Sequence, residues 1–152
     1  MTRATGLARL PVEFVGSFPD PFHPLEPAGP EILFLGRSNV GKSSLLNALL
    51  GRRVARVSAT PGKTQYLNAF RAGAGYLVDL PGYGWARASH AERDRLRRLV
   101  RDVVTRRPGV SAVVWLLDIR HPPSADDRDM QELLVESGRP ALVALTKGDK
   151  LA

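Results

Sequence analysis

The 152-residue sequence contains no cysteine, which excludes disulfides and thiolate metal sites and fits a reducing compartment. No apolar run approaches the roughly 20 residues of a membrane-spanning helix, and Val110–Leu117 reads instead as a buried strand. The start, Met1 to Arg9, lacks the apolar stretch of a signal peptide; with Arg3, Arg9 and no acid it reads as a short disordered tail. Lysine is scarce. It occurs only at Lys42, Lys63, Lys147 and Lys150, and every other cation is arginine. An ammonium and a guanidinium are not interchangeable at crowded sites, so the few lysines mark positions that need a compact charge; Lys42 and Lys147 are the firm cases. Acidic excess is also missing. The formal net charge is +7, which favours a polyanionic partner such as nucleic acid or serves solubility alone.

The length fits one domain with a real core. Residues 1–30 hold six of the twelve prolines and read as an irregular lead-in, with one short strand at Val12–Val15. From Glu31 to the last residue, 152, strand-like and helix-like runs alternate. Glu31–Leu35 is a strand, Lys42–Leu50 a helix stopped by Gly51, and Gln65–Arg71 and Gly75–Leu80 are strands around a Gly-rich turn. Ser89-His-Ala-Glu92 is a capping box for a helix whose inner face is Leu96, Leu99, Val100, Val103 and Val104, ended by Pro108-Gly109. Ser124 caps another helix, with Met130, Leu133 and Leu134 inward and Gly138 as its stop. Ala141–Leu145 is the last strand. This order predicts an α/β fold, a mostly parallel sheet in three layers with helices on its faces.

Four strings then carry chemistry. Residues 36–43, Gly36-Arg37-Ser38-Asn39-Val40-Gly41-Lys42-Ser43, form a complete G-x-x-x-x-G-K-[ST] phosphate-binding loop between strand and helix, as in P-loop NTPases. Backbone N–H groups face phosphate oxygens, Lys42 reaches the β- and γ-phosphates, and the Ser43 hydroxyl ligates magnesium. The alternative is a glycine-rich turn capping a helix. Asp79-Leu80-Pro81-Gly82 ends a strand; Asp79 holds magnesium through water and the Gly82 N–H approaches the γ-phosphate. In Thr146-Lys147-Gly148-Asp149 the Asp149 carboxylate accepts two hydrogen bonds from guanine, a donor pair adenine lacks. The Lys147 stem lies along the base while its ammonium ties back to the phosphate loop. In Thr60-Pro61-Gly62-Lys63-Thr64, Thr64 closes on magnesium, with Thr60 as the rival.

These strings, with Ser44, Gln65, Tyr83-Gly84 and Asp118-Ile-Arg-His121, occur in the order seen in the EngB (YihA) family, which the chain resembles from about Phe14 to Leu151. That family belongs to the TrmE-Era-EngA-EngB group of translation GTPases. The resemblance implies a cytoplasmic, monomeric protein that binds GTP and GDP with Mg2+ at residues 36–44, 62–64, 79–82 and 146–149. It implies assembly of the large ribosomal subunit, with its precursor or ribosomal RNA as partner, no membrane, and a role in cell division and septation. It also implies a further strand and helix beyond Ala152, with a Ser-rich loop contacting guanine O6. Without them Ala141–Leu145 is expected to be an exposed apolar edge. Loss of that base contact weakens binding by ~1–3 kcal/mol, roughly 10- to 100-fold.

The expected reaction is in-line attack of water on the γ-phosphate, with Lys42, Thr64 and Asn39 as the catalytic set. Tyr83 stands where many GTPases carry a water-orienting glutamine, so hydrolysis is expected to be slow. Asn39 stands where sister families hold K+ against the phosphates; the alternative is that it only shapes the loop. Tyr83, Trp85 and Arg87, with Arg52, Arg53 and Arg56, suit stacking on RNA. Trp85 has a second reading, as packing on the next helix. Trp115 reads as core, His23 and His90 as surface, and His121 as a brace of the base pocket. Asp94–Arg98, Arg98–Asp102 and Asp102–Arg106 read as intrahelical pairs on a solvated helix. Two other functions remain open: a small-molecule kinase, and a module that holds nucleotide but barely hydrolyses it.

Overall fold

Strand β2 (Glu31–Gly36) sits at the centre of the molecule, and its alternation sets the layers. Ile32 and Phe34 point to one face of the sheet and Leu33 and Leu35 to the other, each within a separate apolar cluster. The computed structural model describes residues 10–51, 66–84 and 87–151. Around β2 lie β1 (Val12–Phe18), α1 (Lys42–Leu50), β3 (Leu67–Ala72), β4 (Gly75–Asp79), α2 (His90–Arg106), β5 (Val110–Asp118), α3 (Ala125–Ser137) and β6 (Ala141–Thr146). The six strands form one sheet in the order β1-β3-β4-β2-β5-β6. Strands β4, β2, β5 and β6 are parallel; β3 joins β4, and β1 joins β3, antiparallel.

Phe34, Phe70, Leu77 and Leu116 meet Leu46 and Leu50 of α1 on one face. Leu33, Leu35, Val78 and Val113 meet Val100, Val103 and Val104 of α2 and Met130, Leu133 and Leu134 of α3 on the other. The expected three layers are therefore present, and every residue assigned to an inner helix face is buried. Both predicted caps form. Ser89 and Ser124 each accept from the N3 amide, while Glu92 and Asp127 reach back to the cap amide.

Several details differ from the sequence reading. The short strand of the lead-in runs to Phe18, because β1 pairs with β3 along its whole length through an irregularity between Phe14 and Gly16. Of the three intrahelical pairs, Asp102–Arg106 forms at 3.4 Å. The other two are not among the ion pairs of the described residues. Arg97 and Arg101 instead cross to Asp126 and Glu136 of α3, each at 3.1 Å, because the two helices pack side by side. Strand β6 pairs with β5 alone among the described strands, and Leu142, Val143 and Leu145 are exposed, as expected for an apolar edge.

Candidate functional site

The carboxyl ends of β2, β4, β5 and β6 share one edge of the sheet, and each leads into one of the sequence strings. The chain fills one side of β2 with β4 and then crosses to place β5 on the other side. The crevice at such a reversal is the usual ligand position in an open α/β sheet. The phosphate loop occupies it. Asn39 and Gly41 are left-handed, with φ 65° and 104°, and the Val40 amide closes a turn on the Arg37 carbonyl at 3.1 Å. Gly36 is required by close approach, since a Cβ there would lie 2.8 Å from Val40 Cγ1 and 3.0 Å from the Leu116 carbonyl oxygen.

Helix α1 opens directly from this loop at Gly41 with no capping side chain and no acid in its first turn. Its first amides have no intrahelical acceptors and point to the edge with the positive end of the helix dipole. Lys42 turns back to pair with Asp79 at the end of β4, and both side chains are largely buried. Gly82 lies against Ser38, where an added Cβ would meet the Ser38 backbone nitrogen and Cα at 3.0 Å.

The other strands close the site from the opposite side. The Thr146 hydroxyl donates to the Val40 carbonyl at 2.7 Å. Lys147, itself left-handed at φ 61°, extends its ammonium to the Asn39 carbonyl at 2.7 Å. That is the tie to the phosphate loop expected of this lysine. Asp118 accepts two hydrogen bonds from the Arg120 guanidinium, at 3.0 and 2.8 Å, and lies 3.6 Å from Lys147 Nζ. Arg120 foremost, through its side chain and its amide, with a smaller contribution from Lys147, holds the Asp118 carboxyl well below the usual range. Asp149 lies exposed on a 3-10 turn, Gly148–Lys150. Between the phosphate loop and residues 118–121 is a cavity of about 380 Å3, with His121 on its wall.

The profile of the 50S ribosome-binding GTPase family matches residues 31–147. The chain is 52% identical over 124 residues to a probable GTP-binding protein EngB of Chlorobaculum parvum, covering 80% of this chain and 65% of that one. It belongs to the EngB family of GTP-binding proteins. Among solved structures, a probable GTP-binding protein engB aligns with a TM-score of 0.63 at 24% identity, covering 80% of this chain and 72% of that one. Era in complex with MgGDPNP and nucleotides 1506–1542 of 16S ribosomal RNA aligns with a TM-score of 0.63 at 21% identity, covering 82% of this chain and 42% of that one. These two likenesses concern the fold, that of a P-loop GTPase domain. The EngB-family chain spans less than two thirds of the Chlorobaculum relative's length.

The EngB-family site brings Gly36–Ser44, Asp79–Gly82 and Thr146–Asp149 to one edge. Thr60, Gly62, Lys63 and Thr64, with Arg52, Arg53, Arg56 and Trp85, lie outside the described residues. A magnesium nucleotide asks little of the protein: one carboxylate, one hydroxyl and the ligand's own phosphate oxygens. The buried Asp79 carboxylate facing Lys42, and a hydroxyl on the first turn of an uncapped helix, fit that demand. Among the described residues no cluster of three His, Cys, Asp or Glu forms a protein-only metal cage. No described helix is long and apolar enough to cross a membrane.

Tyr83 corrects the sequence reading of an RNA-facing aromatic. Its hydroxyl donates to Asp127 Oδ1 at 2.7 Å and accepts from Trp115 Nε1 at 2.9 Å. Burial foremost, with Asp127 as its acceptor, pushes the phenol far above its usual range against the opposing Trp115 bond. The reason is long-range: the polar end of a core tryptophan and the capping acid of α3 both need a partner at this point. No local pattern in the sequence marks such a triad, although Asp127 at N3 of a capping box was there to be read.

Proposed function

We propose that this EngB-family chain binds GTP and GDP with Mg2+, hydrolyses GTP slowly, and acts as a nucleotide-dependent switch in large ribosomal subunit assembly. The observation that carries the nucleotide reading is the joint arrangement at one edge of an uncapped helix, the Lys42–Asp79 pair and Lys147 held on the Asn39 carbonyl. Phosphates replace the missing cap, and Lys42 exchanges its Asp79 contact for β- and γ-phosphate oxygens. Ser43, Thr64 and, through water, Asp79 hold the magnesium ion. Bound there, the ion would supply charge neutralisation to the phosphates. Asp149 reads the guanine edge. Asn39 would hold K+, which would supply positive charge toward the phosphates, so hydrolysis is expected to be faster in potassium than in sodium; equal rates in the two buffers remove that element.

The ribosomal part rests on the family profile and on the net charge of +7. The assembly partner is the large-subunit precursor or its RNA, the protein acts as a cytoplasmic monomer, and a role in cell division follows from the family. Within residues 31–152 lies the G domain, with residues 1–30 as its lead-in. The deciding experiment is Asp149→Asn. It is expected to reduce GTP preference over other purine triphosphates by about 100-fold, since a lost charged acceptor pair is worth ~3 kcal/mol. An unchanged preference, measured by competition against labelled GDP, sinks the reading.

A second reading is a module that holds nucleotide with little turnover. Tyr83 favours it, because its side chain is bonded to Trp115 and Asp127 and cannot orient an attacking water. Single-turnover hydrolysis with and without ribosomal particles separates the two.

A further inference from the structure

The four hydrogen bonds of Tyr83 divide between two places. Its amide donates to the Gly36 carbonyl at 3.2 Å and its carbonyl accepts from the Ser38 amide at 2.9 Å, so its backbone is paired with the phosphate loop. Its hydroxyl is fixed between Trp115 of β5 and Asp127 of α3. Asp127 is itself held, because its second oxygen accepts from the Ser124 amide at 2.8 Å and its own amide donates to the Ser124 hydroxyl. Trp115 and Asp127 are both buried, so releasing the phenol takes the acceptor from the Trp115 N–H and the donor from Asp127 Oδ1. The next residue, Gly84, has φ 74°, and a Cβ there would lie 2.9 Å from Arg37 Nε.

We propose that Tyr83 is a positioning residue: its phenol staples the second loop to β5 and α3, and keeps Gly82 against the phosphate loop in both nucleotide states. The Gly82 amide then waits for the γ-phosphate in place. The Ser38 amide is bonded to Tyr83 and the Val40 amide to the Arg37 carbonyl, so the phosphate cradle is built from the other amides, Gly41 and those that open α1. Burial foremost, with Asp127 as acceptor, raises the phenol's pKa and so favours the form that donates to Asp127.

This inference rests on the nucleotide reading above, and one experiment tells the two apart. In a Trp85→Phe background Trp115 is the sole indole. Its emission maximum and intensity are expected to be the same with GDP and with a non-hydrolysable GTP analogue. Tyr83→Phe in the same background is expected to shift that emission. It is also expected to lower affinity for the analogue about tenfold while GDP affinity stays within about twofold, the size of one lost buried hydrogen bond. Indole emission that differs between the nucleotides overturns the staple. So does an equal loss for both nucleotides, the mark of a merely structural role, or no loss for either. Where Tyr83→Phe does not fold, Trp115→Phe removes one of the two hydroxyl bonds and is judged by the same affinity ratio. Failure of the unsubstituted chain to bind labelled GDP overturns the functional reading and the staple together; binding with an unchanged ratio overturns the staple alone.

Discussion

The two ends of the parallel strands are built on opposite rules. At the amino ends the buried Glu31 and Arg107 and the half-buried Arg139 all have partners. Arg107 clasps Glu31 through two hydrogen bonds, at 2.6 and 3.2 Å, and gives a third to the Pro21 carbonyl at 2.8 Å. Arg139 spreads its guanidinium over the carbonyls of Val104, Val110 and Arg107, at 2.5, 2.8 and 2.8 Å. At the carboxyl ends the chain leaves groups open: α1 without a cap, left-handed residues at Asn39, Gly41 and Lys147, and an exposed Asp149. The closed end spends its charges on holding the fold. The open end leaves the first amides of α1 without a capping side chain, and so available to an anion. The same chain caps α2 and α3 completely, so the bare start of α1 is not a deficiency of its turn chemistry.

Substitutions test that contrast. The largest effect is expected for Arg107→Ala, which leaves Glu31 buried without its partner and costs about 3–5 kcal/mol in urea unfolding. A loss below about 1 kcal/mol places Glu31 in water and breaks the picture of a closed end. Next comes Lys42→Ala at the open end. Its expected signature is affinity for labelled GDP, reduced roughly 10- to 100-fold by loss of a charge-assisted contact. Full affinity in that variant removes the anion from the argument. Ser124→Ala should cost about 1 kcal/mol, as the loss of an N-cap does, and should also loosen Asp127 beneath Tyr83. A thermal midpoint equal to the parent's contradicts it.

The smallest effect concerns pH. The folded Asp118 carboxyl is held below its unfolded range by Arg120. Its contribution is therefore complete above about pH 4 and drains away as the pH falls below that value. Asp118→Asn should flatten this acid limb of the stability curve and leave neutral and alkaline stability unaltered in slope. An acid limb identical in the two proteins assigns it to other carboxylates.

Much of this arrangement was legible from the sequence, and for definite reasons. Gly51 after Leu50, Ser89 with Glu92, Ser124 and Gly138 fixed helix ends because capping is local chemistry. Three of the four strings could be assigned to strand ends because each follows an apolar run; the fourth, Thr60 to Thr64, sits in a polar stretch outside the described residues. What the sequence did not disclose is pairing over distance. Arg107 and Glu31 are 76 positions apart, and Tyr83 and Asp127 are 44 apart. Apart from the capping box that marks Asp127, nothing in their immediate neighbours distinguishes them from solvated residues. Trp115 was read correctly as core, yet its N–H had to find an acceptor, and only the packed sheet and helix show which hydroxyl supplies it.

Arg139 has one more consequence. Its three carbonyl acceptors come from the last turn of α2, the residue that caps it and the first residue of β5, while Arg139 itself follows α3. The segment from α2 to the start of β6 is thereby knotted at its base into a single cooperative unit. Amide hydrogen exchange across 96–139 should proceed by one shared opening rather than by fraying of either helix.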